Sequence, residues 1–237
     1  MSTESRGPGP LRALAVLWHP DGAPARPRGL TRDRIVAAAI ALADADGLGA
    51  LSMARLAQRL GCGTMSLYRH VTNKDELVTF MLSAAPGPPP RFGPGIGWRE
   101  AVTAWADGLW EVYHRHPWVL QAAASGPPAD PGQLAWLDAG LKALEPTGLS
   151  EREKLASVMA VLHYVRGAAA LDVAAGEADP GFADLLRRFV DAERLPAVAA
   201  ALSAGAFDGA TGGDRERVTD FRTGLALVVA GIAARAR

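Results

Sequence analysis

Thr64-Met65-Ser66-Leu67-Tyr68-Arg69-His70-Val71-Thr72-Asn73 follows the run Ser52 to Leu60 across only Gly61-Cys62-Gly63. Two short amphipathic segments joined by a glycine turn of this length predict a helix-turn-helix. In a helix over 64–71, Leu67 and Val71 lie one turn apart and share an inward face, which leaves Thr64, Ser66, Tyr68, Arg69 and His70 outward. Those outward groups are hydrogen-bond donors, the chemistry that a polyanion accepts.

The flanking sequence fits the same arrangement. Thr31 caps a helix with Asp33 in its first turn and Ile35, Ala39 and Leu42 on one face, and Gly47 ends it. Ser52 to Leu60 buries Met53, Leu56, Ala57 and Leu60. Asn73-Lys74-Asp75-Glu76 has the capping-box pattern, so a further helix starts there, carries Leu77, Phe80 and Met81, and stops near Ala85 before Pro86-Gly87-Pro88-Pro89-Pro90. Residues 1–29, rich in glycine and proline, read as a flexible basic arm. Residues 30–83 read as the helix-turn-helix domain, with a boundary in 84–97.

The rest of the chain, 98–237, reads as helices. Val102, Trp105, Leu109 and Val112 have helical spacing over Trp98 to Arg115. Asp130-Pro131-Gly132-Gln133 and Ser150-Glu151-Arg152-Glu153 are helix starts, the second opening a long helix that Gly176 ends. Asp179-Pro180 opens another helix, and Asp214 begins the last. No run reads as a strand, so the class is all-α.

The chain has 237 residues and a formal net charge of zero, but the charge is unevenly placed. Between Arg26 and Leu82 eight basic residues face five acidic ones, an excess of three positive charges that the remainder must balance. A basic head on an acidic body suits a nucleic-acid contact at one end. The single cysteine, Cys62, forbids an intramolecular disulfide and makes the cytoplasm the default compartment. Leu11 to Trp18 has the look of a signal peptide, but Arg12 interrupts its apolar run. No segment reaches the ~18 uninterrupted apolar residues of a membrane span, so no membrane partner is expected.

Ile35 to Gly47, Leu51-Ser52-Met53, Leu56-Ala57-Gln58-Arg59-Leu60-Gly61, Ser66-Leu67-Tyr68-Arg69-His70-Val71 and Asn73-Lys74-Asp75-Glu76-Leu77, in this order, resemble the TetR family of transcriptional repressors. The C-terminal part is loosely similar to the tetracycline-repressor branch. The resemblance implies a homodimer, each chain supplying one helix-turn-helix to a palindromic double-stranded DNA operator, with a small-molecule effector held in the helical C-terminal domain. Carried over by position, the DNA contacts fall on Ser52, Thr64, Met65, Ser66, Tyr68, Arg69, His70 and Lys74. Arg69, with its bidentate fork, is the choice for base readout. Two departures limit the carry-over. Ala54 stands where the tetracycline-repressor branch has a base-reading arginine, and Gln121 to Gly126 lacks the histidine that branch uses for a magnesium–drug chelate. No metal and no cofactor is therefore expected, and the effector is read as apolar or aromatic.

Its candidate contacts are Trp105, Trp110, Tyr113, Trp118, Trp136, His163, Tyr164 and Arg166. Core packing and a concave aromatic pocket both account for the tryptophans. His163, Tyr164 and Arg166, within an otherwise apolar stretch, need either protein partners or a ligand. His114 and His116 diverge on a helix and do not share a metal. The small residues Gly167 to Ala170 and Gly224 to Gly231 suit close helix contact, within the chain or across a dimer. For Arg26, Arg28 and Arg32 a DNA contact and a solvated tail both stand. No catalytic pattern is present, and the alternative to a regulator is an all-α ligand carrier or lyase-like enzyme without DNA binding.

Overall fold

The computed structural model describes residues 9–19, 29–123, 129–176, 182–207 and 214–236, which contain helices and turns and no strand. The basic residues Arg26 and Arg28 and the helix start Asp179-Pro180 lie outside the described residues. Twelve α-helices are described: α1 Gly9–Trp18, α2 Arg32–Asp46, α3 Met53–Leu60, α4 Thr64–Tyr68, α5 Lys74–Ala84, α6 Trp98–Arg115, α7 Trp118–Ala122, α8 Pro131–Ala143, α9 Glu151–Gly176, α10 Phe182–Phe189, α11 Pro196–Ser203 and α12 Asp214–Ala233.

Five helix starts carry a side-chain cap. Thr31 Oγ1 accepts from Arg34 N at 3.2 Å, Ser52 Oγ from Arg55 N at 3.2 Å, Asn73 Oδ1 from Glu76 N at 2.8 Å and Asp130 Oδ1 from Gln133 N at 3.0 Å. At α9 the capping box is complete, because Glu153 Oε2 also accepts from Ser150 N at 3.0 Å. These bonds, led by the Ser150 hydroxyl, with Arg235 adding its own, lower the Glu153 carboxyl to about 2. Gly61 ends α3 at φ 65°, a left-handed conformation that suits glycine and turns the chain into α4.

Two expectations change. Residues 9–18 are not a flexible arm: α1 packs along α5, Ala13 is fully buried, and Arg12 Nη1 lies 3.4 Å from the buried Glu76 carboxylate. Ala13, Val16 and Leu17, at helical spacing, give that helix a face to bury, which the glycine and proline content of the first 29 residues obscured. Glu76 accepts from Thr72 N and pairs with Arg12, rather than bonding back to Asn73 as a standard box would. The recognition helix is also shorter than 64–71, since α4 ends at Tyr68 and the chain turns through Arg69 and His70.

One core runs unbroken through the molecule. Ile35, Leu56, Leu67 and Val71 fill the head, Phe80 and Met81 of α5 continue it, and Trp105, Val161, Val165 and Leu225 fill the body. α6 and α9 pack as the central pair, with α8 on one side and α12 on the other. The approach of α8 to α5 is close because residue 132 is glycine: a Cβ there would lie 1.9 Å from Ser83 O. α9, by length and composition alone, is apolar enough to cross a membrane, yet Val158, Val161, Val165 and Ala169 face the core. Its other face leaves Leu155 and Leu171 exposed, and Leu227 of α12 is exposed too.

Candidate nucleic-acid interface and effector cavity

The donors of α4 lie off its buried side. Leu67 and Val71 are fully buried beneath α4, which leaves Met65 at 73% exposure with Tyr68 and Arg69 also exposed. Thr64, Ser66 and His70 are half-buried beside them, and Ser52 and Lys74 stand exposed at the starts of α3 and α5. The Ser52 oxygen is occupied as a cap acceptor, but its hydroxyl proton remains available to donate. No hydrogen bond or ion pair ties Tyr68, Arg69 or Lys74 to another described residue, so these donors stand free. Arg55 is not free: it reaches Asp46 at 2.9 Å and braces α3 against α2. Arg32 stacks over the Phe80 ring, 5.2 Å from its centroid, which places it on the head rather than in a tail.

The body holds a cavity of about 290 Å³ between α6, α8 and α9. α6 supplies Trp105, Leu109, Val112 and Tyr113, α9 supplies Met159, Leu162, His163 and Arg166, and α8 supplies Gln133, Trp136 and Leu137. Each set follows the spacing of one helical face. The remaining wall belongs to the connection with the head: Leu82 and Pro86 at the end of α5, and Val119 and Ala123 at α7.

Five of the eight residues read from the sequence, Trp105, Tyr113, Trp136, His163 and Arg166, meet here. Trp110, Trp118 and Tyr164 do not. Trp110 stacks on Phe221 with centroids 4.2 Å apart, on the side of α6 that faces α12. The Tyr164 hydroxyl donates to Phe221 O at 2.7 Å, and burial, with Asp220 adding to it, raises its phenol above the ordinary value. Gly224 makes that contact possible, since a Cβ there would lie 2.1 Å from the Tyr164 oxygen, so this glycine serves packing within the chain. Gly167 and Gly231 instead have nothing within 4 Å and remain on outer faces.

The indole donors are spent inside the protein. Trp105 Nε1 donates to Trp136 O at 2.8 Å, and Trp136 Nε1 donates to Gly87 O at 3.0 Å in the segment after α5. The tryptophans are therefore walls of the cavity rather than donors to its contents. One polar group differs: Arg166 Nε is buried without a hydrogen-bond partner.

The head and body also meet at a carboxylate that the sequence did not single out. Asp44 of α2 accepts from Trp118 Nε1 at 2.7 Å, and His116 Nδ1 lies 2.8 Å from the same oxygen. Trp118 and Val119 are adjacent on α7, so one residue holds the head while the next lines the cavity. No local pattern marks Asp44, because its partners are 72 and 74 residues away.

A helix-turn-helix head, joined through α5 to a helical body with a cavity, is the architecture of a bacterial one-component regulator. Residues 35–79 match the family of bacterial regulatory proteins, tetR family, and residues 90–236 match the tetracyclin repressor-like C-terminal domain. The chain belongs to the TetR family. Members of that family are in general DNA-binding regulators rather than enzymes, bind small molecules and act as dimers. The HTH-type transcriptional repressor DrrR1 of Streptomyces coeruleorubidus is 42% identical over 71% of this chain, a match that spans 64% of that repressor's own length. An HTH-type transcriptional regulator of Saccharopolyspora erythraea is 34% identical over 99% of this chain and 96% of its own. Among solved structures, Streptomyces coelicolor ActR in complex with actinorhodin superposes with a TM-score of 0.73 at 29% identity, covering 88% of this chain and 98% of that one.

Proposed function

We propose that this protein is a homodimeric repressor that binds a near-palindromic operator through α3 and α4 and leaves it when a small aromatic molecule fills the cavity beneath α5. The observation that carries the reading is the course of α5. It starts at Lys74 directly after α4 and ends at Ala84, with Leu82 of its last turn and Pro86 just beyond it on the cavity wall. An occupant that pushes on Leu82 and Pro86 moves the helix on which the head is mounted. Such a molecule releases DNA only if it prefers the displaced arrangement, since equal affinity for both states shifts nothing.

The likeness to a repressor and to ActR, solved in complex with actinorhodin, supports this reading, as does the excess positive charge of the head. Dimerisation is assigned to the outer faces of α9 and α12, where Leu171 and Leu227 are 75% and 73% exposed. Two heads held by one axis meet successive major-groove faces, with half-sites spaced by multiples of about 10 base pairs. The test is a mobility-shift titration against the DNA flanking the protein's own gene, with sedimentation measurements on wild type and on Leu171→Glu/Leu227→Glu. The reading requires specific binding by wild type and loss of both dimer and binding in the variant. A carrier or enzyme that does not bind DNA gives no sequence-dependent shift.

A further inference from the structure

Among the described residues, the inner surface of the cavity carries one permanent charge. Its described walls are aliphatic or aromatic apart from Gln133, His163 and Arg166, and no aspartate or glutamate is among them. Arg166 sits in the middle of α9, half-buried, with Nε shielded from solvent and lacking any acceptor. No ion pair links its guanidinium to another described residue, although the protein pairs other arginines freely: Arg12 with Glu76, Arg55 with Asp46, Arg222 with Asp107 and Arg235 with Glu153. A guanidinium cannot shed its proton to escape burial, so Nε stands as a donor open to an acceptor on an occupant of the cavity.

We infer that the effector is an aromatic acid, whose ring system lies against Trp105, Trp136 and Tyr113 and whose carboxylate is taken by Arg166. This rests on the cavity being the effector site. A neutral aromatic molecule brings Arg166 at most an uncharged acceptor and a cation would meet like charge, whereas a carboxylate supplies charged acceptors in the geometry of the guanidinium fork. With Trp105 and Trp136 already donating to backbone carbonyls, these two indoles offer the rings apolar surface alone. The size follows from the volume: an apolar cavity of ~150 Å³ takes one benzene ring, so 290 Å³ suits a fused pair.

The experiment measures binding to the full-length protein by calorimetry at pH 7.5, with two probe series of different size. Each series, naphthalene or anthracene, carries carboxylate, carboxamide or methylammonium at the same ring position. The carboxylate should bind about 10- to 100-fold more tightly than the carboxamide, the worth of a charge-assisted hydrogen bond, and the ammonium should bind most weakly. Arg166→Met keeps the stem of the side chain and should abolish the preference for carboxylate while leaving carboxamide affinity within a few-fold. Arg166→Lys, which keeps the charge and loses the fork, should restore part of it. Equal affinity for carboxylate and carboxamide in wild type overturns the inference and leaves the cavity reading intact, because both still bind. A preference that survives Arg166→Met in a variant with unchanged helicity and melting temperature assigns the acid to another group and likewise overturns it. No heat from any probe of either size removes the cavity reading together with this one.

Discussion

Replacement of Asp44 by alanine tests the least anticipated contact in the molecule. Asp44 Oδ1 holds two donors on the body, Trp118 Nε1 at 2.7 Å and His116 Nδ1 at 2.8 Å, and both rings are buried. Removing the carboxylate strands a buried indole N–H and an imidazole nitrogen, each at a cost of about 1–3 kcal/mol. The Asp44 side chain is 29% exposed, so water can reach part of the gap. The lower end of the combined range applies, about 2–3 kcal/mol. For a chain of this length each kcal/mol moves the melting temperature by roughly 2–4 °C, which gives a fall of roughly 4–12 °C. Trp118→Phe removes one donor without stranding it, and should cost about 1 kcal/mol. Circular dichroism melts of wild type, both single variants and the double variant form a thermodynamic cycle. Coupling of about 1 kcal/mol between the two positions is expected. A melting temperature for Asp44→Ala within a degree of wild type, or additive losses in the cycle, would refute the claim that this carboxylate joins head to body.

Other predictions are as direct. Deletion of residues 1–18 should lower the melting temperature by several degrees, because it uncovers the α5 surface against which Ala13 packs and leaves buried Glu76 without Arg12; an unchanged melt would return α1 to the status of a tail. Arg69→Ala should cost about 1–3 kcal/mol and relax preference at one base pair per half-site, read by binding to an operator mutation series. Lys74→Ala, by contrast, should weaken all sequences equally and flatten the salt dependence by about one ion. Acid should also loosen the start of α9. The Glu153 carboxyl is lowered to about 2, so its contribution is present above the ordinary carboxylate value and is lost as pH falls from there through about 2; Ser150→Ala should move that loss to higher pH in a carboxylate NMR titration.

The head was legible because every decision in it is local. Thr31, Ser52 and Asn73 cap the helices they precede, Gly61 makes the turn, and Leu67 and Val71 face inward at one-turn spacing. The cavity was half legible. Trp105, Leu109, Val112 and Tyr113 on α6, and Met159, Leu162, His163 and Arg166 on α9, form stripes that a helical wheel separates from Trp110 and Tyr164. Choosing residues for their chemistry, without asking which face they occupy, admitted those two. What the sequence concealed is pairing between distant segments: Arg12 with Glu76, Trp18 with the Ala129 carbonyl, and Asp44 with His116 and Trp118. Partners separated by 64 residues or more leave no period to detect.

These attachments decide what kind of motion an occupied cavity can cause. If α5 alone carried the head, pressure on Leu82 and Pro86 would let it swing in any direction. A second tie at Asp44 limits that swing. The ties differ in stiffness: α5 meets α8 where Gly132 brings backbone against backbone, with Gly132 N donating to Ser83 Oγ at 3.2 Å, whereas the Asp44 tie is made through side chains alone. Val119 faces the cavity beside Trp118, so an occupant that shifts α7 moves the softer tie while the stiffer one acts as a pivot. Under the repressor reading, Trp118→Phe should therefore retain operator affinity without effector but require more effector for release. Anisotropy titrations of labelled operator with the naphthalene carboxylate probe measure this directly, and an unchanged release midpoint would assign the motion to α5 alone.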